Sequence, residues 1–223
     1  MKWLLVASLA LSVPVFAQKK VHNLPLSGEG NELVSAAEPE VVNFHFERKG
    51  LAVPEWSLEI SSDGLGRYDE GAVATATRKP VLVHPQTLAR MMGGVEAVRA
   101  GTCESSAKSL ATKRLAYRWK SGDVWSTCAF HVSSDAKLND AMEAFVALQQ
   151  TLQVGEVLAR LEKADPSAVP DVVVSLWVMA QEGSAIELGN IEPVLKAIAN
   201  NDHFAEGTTK MARELLAMAA AKN

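Results

Sequence analysis

The sequence predicts an α+β protein: an antiparallel sheet packed against two helices, followed by a C-terminal bundle of about three short helices. Three observations carry this reading. Apolar and polar residues alternate along short runs between Val41 and Val132, with turn residues between them. A long stripe at helical spacing follows, from Ala136 to Lys163, and beyond Asp165-Pro166 only helical patterns remain. The expected organisation is a signal peptide over 1–17, an irregular or flexible segment over 18–40, the α+β domain over 41–164 and a helical segment over 165–223.

Val41 to Glu47 is the first regular run, with Val42, Phe44 and Phe46 alternating against Val41, Asn43 and His45. Trp56 to Ser61 alternates in the same way, and Asp63-Gly64 then leads into Leu65-Gly66-Arg67-Tyr68, a hairpin signal because both turn positions tolerate positive φ. Val73 to Thr77 is expected to extend the sheet, and Pro80 to Val83 reads as a short edge strand. His84-Pro85 then opens a helix, since proline suits a first turn whose N–H is unpaired anyway. Its apolar stripe is Leu88, Met91, Met92, Val95 and Val98, bent or broken at Gly93-Gly94 and stopped by Gly101.

A second hairpin is expected from Lys113–Trp119 and Val124–Val132 around Ser121-Gly122-Asp123. Trp125 and Cys128 differ in parity, which requires a bulge or a two-sided strand. Ser134 or Asp135 caps the long helix, whose stripe of Leu138, Ala141, Met142, Phe145, Leu148 and Leu152 resumes after Gly155 at Val157, Leu158 and Leu161. Three shorter helices follow, at Val169–Gln181, Ile191–Asn200 and Phe204–Ala220.

The first seventeen residues give an address. Lys2 precedes an apolar run from Trp3 to Val13, and Val15-Phe16-Ala17 places small residues at −3 and −1 of a cut between Ala17 and Gln18. The expected product is secreted or periplasmic, with no membrane span after signal removal. Two cysteines in an oxidising compartment allow one intramolecular pairing, so Cys103 and Cys128 are expected to form a disulfide that fastens the helix ending near Gly101 to the sheet.

Composition excludes several classes. The chain has 22 basic and 26 acidic residues in 223, net −4, mixed along its length. Nucleic-acid binding needs a concentrated basic face, so no such partner is expected. Gly-x-Ser-x-Gly, the phosphate loop and His-Glu-x-x-His are all missing. Ser-x-x-Lys occurs at Ser105/Lys108 and Ser134/Lys137, without the companion motifs of serine acyl-transferases. His22, His45, His84, His131 and His203 are scattered; His45 and His131 would converge, with Glu47 or Asp63 near, only if their strands were neighbours. Asp63 to Asp69 lacks the ligand spacing of a calcium loop. Trp56, Trp119 and Trp125 fall on strands, where core packing outweighs an exposed stacking row. No catalytic residue, metal site or cofactor is assigned. The expected function is a non-enzymatic binding or inhibitor-like protein whose partner is another extracytoplasmic protein. The rival is a small extracytoplasmic hydrolase with a noncontiguous histidine–carboxylate site, expected to place His45, His131 or His84 within ~3 Å of a carboxylate.

Overall fold

The computed structural model describes residues 40–71, 77–101, 103, 112–118, 125–131 and 133–221. The signal segment with its Ala17/Gln18 cut, the lead-in through residue 39, residues 73–76 of the expected strand extension, Trp119 and the Ser121-Gly122-Asp123 turn lie outside them.

The class is α+β. Strands β1 (Val41–Glu47), β2 (Glu55–Ser61), β3 (Leu65–Glu70), β4 (Thr77–Leu82), β5 (Thr112–Arg118) and β6 (Trp125–Phe130) form one antiparallel sheet in the order β4-β3-β2-β1-β5-β6. The chain folds outward from β1 to the β4 edge. It then crosses the sheet through helices α1 (Pro85–Gly93) and α2 (Val95–Ala100) and returns on the other side of β1. The expected helix is thus broken at Gly94, with Pro85 in its first turn. At the β2–β3 turn, Ser61 Oγ donates to Asp63 Oδ1 at 2.5 Å, and that oxygen also accepts from the Leu65 N–H at 3.0 Å. These bonds hold the Asp63 carboxyl below its usual range, the Ser61 bond contributing most. Gly64 is required there twice over: its φ is +83°, and a Cβ would stand 2.5 Å from the Val83 carbonyl oxygen.

Alternation makes the sheet one-sided. Val42 and Phe44 of β1, Trp56, Leu58 and Ile60 of β2, Tyr68 of β3, and Leu115 and Tyr117 of β5 all face the core. Phe44 stacks on Phe145 at 5.0 Å between ring centres and leans on Trp56 at 5.4 Å. Phe145 belongs to α3 (Ala136–Ala164), 29 residues long, which covers this face together with α1 and α2. Burial pushes the Tyr68 phenol well above its ordinary value. Asp135 caps α3, accepting from the Leu138 N–H at 2.8 Å. Ser134, the other expected cap, stands one residue earlier and exposed, so its side chain plays no part. The β5–β6 pairing runs unbroken from Lys113↔Phe130 to Arg118↔Trp125, so the parity conflict is resolved by a two-sided strand without a bulge.

Cys103 and Cys128 are joined, with Cα atoms 6.1 Å apart, and tie the chain just past α2 to β6. No helix among the described residues is long and apolar enough to cross a membrane.

Helices α4 (Val169–Gln181), α5 (Glu192–Ala199) and α6 (Glu206–Ala221) follow, packed around Val173, Leu176, Leu195, Ile198, Ala212 and Leu215. Leu158 of α3 belongs to this second cluster, so one helix serves both cores. Gly155 marks the join: a Cβ there would lie 2.3 Å from Cγ2 and 3.0 Å from Cβ of Ile191, in the short turn Leu188–Ile191 before α5. Thr151 adds a polar link, donating to the Ala147 carbonyl and accepting from the Ile186 N–H, both at 3.0 Å. Asn190 reaches the sheet edge, its amide accepting from the Leu82 N–H at 2.8 Å and donating to the Leu82 carbonyl at 2.9 Å.

Two expectations follow. The disulfide closes a loop across a sequence separation of 25. The Cys103→Ser/Cys128→Ser variant should therefore lose about 3 kcal/mol on the chain-entropy account, read as a lower urea midpoint. Gly155→Ala should destabilise, although alanine is about 1 kcal/mol better than glycine inside a helix, because crowding stiff, β-branched Ile191 costs about 1–3 kcal/mol. Ile191→Ala in the same chain should then cost less than it does alone, which a double-mutant cycle measures.

Candidate functional site

The face of the sheet turned away from the helices carries the charges. Pairing sets them in rows. The middle row reads Arg114 (β5), His45 (β1), Ser57 (β2), Asp69 (β3) and Arg78 (β4). One flanking row reads Thr127, Ala116, Asn43, Glu59 and Arg67, and the other holds Glu47 beside Glu55. Together these side chains line a depression of about 560 Å³.

Most of its charges answer one another. Arg67 lies 3.2 Å from Asp69 Oδ2 and 3.4 Å from Glu59 Oε2, and Arg78 Nε lies 3.6 Å from Asp69 Oδ1. Asp69 Oδ1 is itself buried and has no hydrogen-bond partner among the described residues. His45 Nε2 is 3.8 Å from Glu55 Oε1, an ion-pair distance when the ring is protonated but too long for a hydrogen bond. Ser57 stands directly opposite His45. The side chains of Glu47 and Arg114 have no ion pair or hydrogen bond to any described residue, and both residues are exposed. They sit diagonally across the β1–β5 pair, since Glu47 faces Thr112 and Arg114 faces His45.

The other residues singled out by sequence fall elsewhere. His45 and His131 do not converge: β5 separates β1 from β6, and the convergence depended on those strands being neighbours. The His131 carbonyl accepts from Lys113 Nζ at 2.7 Å, and burial holds that lysine's pKa below its usual value. His84 occupies the N-cap position of α1 without a side-chain capping bond, away from the open face, and His203 is exposed before α6. Among the described residues, no three histidine, cysteine, aspartate or glutamate side chains are placed to hold a metal ion. Asp63 is engaged in its turn. Lys137 pairs with Glu96 at 2.5 Å, leaving Ser134 exposed without it, and Ser105/Lys108 lie outside the described residues. Trp56 is buried among Phe44, Phe46 and Tyr68, where it can stack on no ligand.

Sequence reasoning recognised the outward parity of Asn43 and His45 but assembled no site from it. The signal was present: the residues of opposite parity in the first two runs, Asn43, His45 and Glu47 and then Ser57, Glu59 and Ser61, are all polar, and Arg67 and Asp69 continue the set after Leu65. No family model matches the chain, and no curated protein matches it in sequence.

Proposed function

We propose that this chain is a non-catalytic binding protein, acting outside the cytoplasm, that takes a short zwitterionic, peptide-like ligand on the open face of its sheet. The observation that carries this reading is the depression of about 560 Å³ with walls of both charge signs. That volume falls within the ~300–1,000 Å³ of small-molecule sites. Such sites are usually apolar with a few polar groups; here every lining residue but Ala116 is polar or charged, so the ligand must be read largely by ions and hydrogen bonds. Glu47 and Arg114 are the charges left unanswered, and diagonal neighbours on paired strands stand about 7–8 Å apart. An extended chain spans ~3.3–3.6 Å per residue. The free ammonium and carboxylate of a di- or tripeptide therefore match the pair. The Met1–Ala17 pattern and the Cys103–Cys128 bond support the extracytoplasmic address.

A hydrolase is the second reading, favoured by Ser57 facing His45 with Glu55 nearby. It ranks below binding because His45 and Glu55 are 3.8 Å apart, beyond the ~2.6–3.2 Å of a working base and its orienting acid.

Calorimetric titration of the full chain with triglycine, its N-acetylated form and its C-amidated form tests the assignment. Saturable binding of triglycine is expected, weakened several-fold by blocking either end and by Arg114→Ala or Glu47→Ala, at about 1 kcal/mol for each exposed charge contact. Binding indifferent to both substitutions would sink it. Ester turnover abolished by Ser57→Ala would hand the site to the hydrolase reading.

A further inference from the structure

Two glutamates stand side by side at one end of the open face. Glu47 of β1 faces Glu55 of β2 directly across the strand pair. Residues so opposed hold their Cβ atoms about 4.5–5.5 Å apart, and like charges in that relation repel. Glu47 has no ion pair among the described residues, and Glu55 has only His45, whose Nε2 lies 3.8 Å from its Oε1. That contact is an ion pair when the ring carries a proton and too long for a hydrogen bond when it does not.

A primary ammonium has three N–H donors and can bond both carboxylates at once. A ligand that brings its ammonium to Glu47 therefore meets Glu55 as well, and His45 is its rival there. Imidazole is the side chain whose charge ordinarily changes between pH 5 and 8. The charged groups on this face around His45 are Glu47 on its own strand, Glu55 and Glu59 on β2, Arg114 on β5, and Arg67 and Asp69 on β3. Arg67 is shared between Glu59 and Asp69, and Arg78 of β4 also leans on Asp69. The approach to Glu55 turns the ring toward β2, whereas Arg114 stands on the other side of β1. A proton on His45 thus adds positive charge at the acidic end of the site, where it opposes an ammonium more than it helps a carboxylate.

We infer that Glu55 completes the seat for the ligand's ammonium and that protonated His45 competes for it, so that the site releases its ligand as pH falls. This rests on the reading of the open face as a seat for a peptide-like zwitterion.

Calorimetric titration of the full chain with triglycine at about pH 7 and about pH 5.5 tests it, since both lie below the ~7.7–8.0 at which a free α-amine loses its charge. Affinity should fall about three- to fivefold at the lower pH. His45→Gln should give equal affinity at both. Glu55→Gln should weaken binding several-fold near neutrality and shrink the pH effect. Both substitutions lie on the solvent side of the sheet and keep a polar side chain there. Affinity equal at both pH values in the native chain, a pH effect that survives in His45→Gln, or indifference to Glu55→Gln would each overturn this inference while leaving the zwitterion reading intact. Absence of saturable triglycine binding near neutrality would overturn both.

Discussion

The packing of one sheet face against α3 governs the rest of this structure. In β1, Val42 and Phe44 enter the core while Asn43, His45 and Glu47 point away from it. Phe44 is held between Trp56 and Phe145, so β1, β2 and α3 share one aromatic contact. Each such side chain, fully buried, is worth about 1.5–3 kcal/mol, as an upper bound. A register slip of one residue would expose that set and drive His45, Glu47, Glu59 and Asp69 into the helices. Unpaired buried charges cost more than the apolar contacts return. The same constraint therefore fixes strand register and produces the charged open face. That face is the other half of the alternation rather than a separate feature.

The second constraint is the length of α3. The sheet is covered well before the helix ends, and Leu158 already lies in the C-terminal cluster. What the extra turns do is visible at Gly155, where the missing Cβ lets Ile191 press against the helix backbone. That close approach brings Asn190 to β4, an edge strand whose outer groups would otherwise be free to pair with another chain. The Asn190 amide occupies both the N–H and the carbonyl of Leu82, as a neighbouring strand residue would. Pro80 lacks a donor, and Lys79 is paired with Glu156 of α3. The helical segment thus closes one end of the sheet edge with side chains rather than with a seventh strand.

How far the sequence discloses this depends on distance along the chain. The Asp63-Gly64 turn, the break at Gly94 and the three late helices rest on local pattern and are legible in it. So is the Cys103–Cys128 pairing, because two cysteines leave one choice. Strand order is different. That β5 lies beside β1 follows from a crossover through α1 and α2, and nothing in Thr112–Arg118 states it. The convergence considered for His45 and His131 fails for that reason alone. Gly155 reads as a weak point in a helix when it is a contact surface. Asn190 and Glu187 read as link residues, yet their side chains bond to the backbone of Leu82 and His84, 108 and 103 positions away. The polar parity of the strands is local and legible; which charges it leaves unanswered is a property of the assembled rows.

For the proposed peptide-like ligand, selectivity on the open face rests on spacing rather than on net charge. On the open face, acidic and basic groups are interspersed and largely cancel, so long-range attraction is weak and net charge selects little. Solvent screens each contact, and discrimination rests on the spacing between Glu47 and Arg114, which the β1–β5 register holds rigid. A simple alkylammonium there can satisfy Glu47 but leaves Arg114 as it was, whereas a zwitterion of matching length answers both charges.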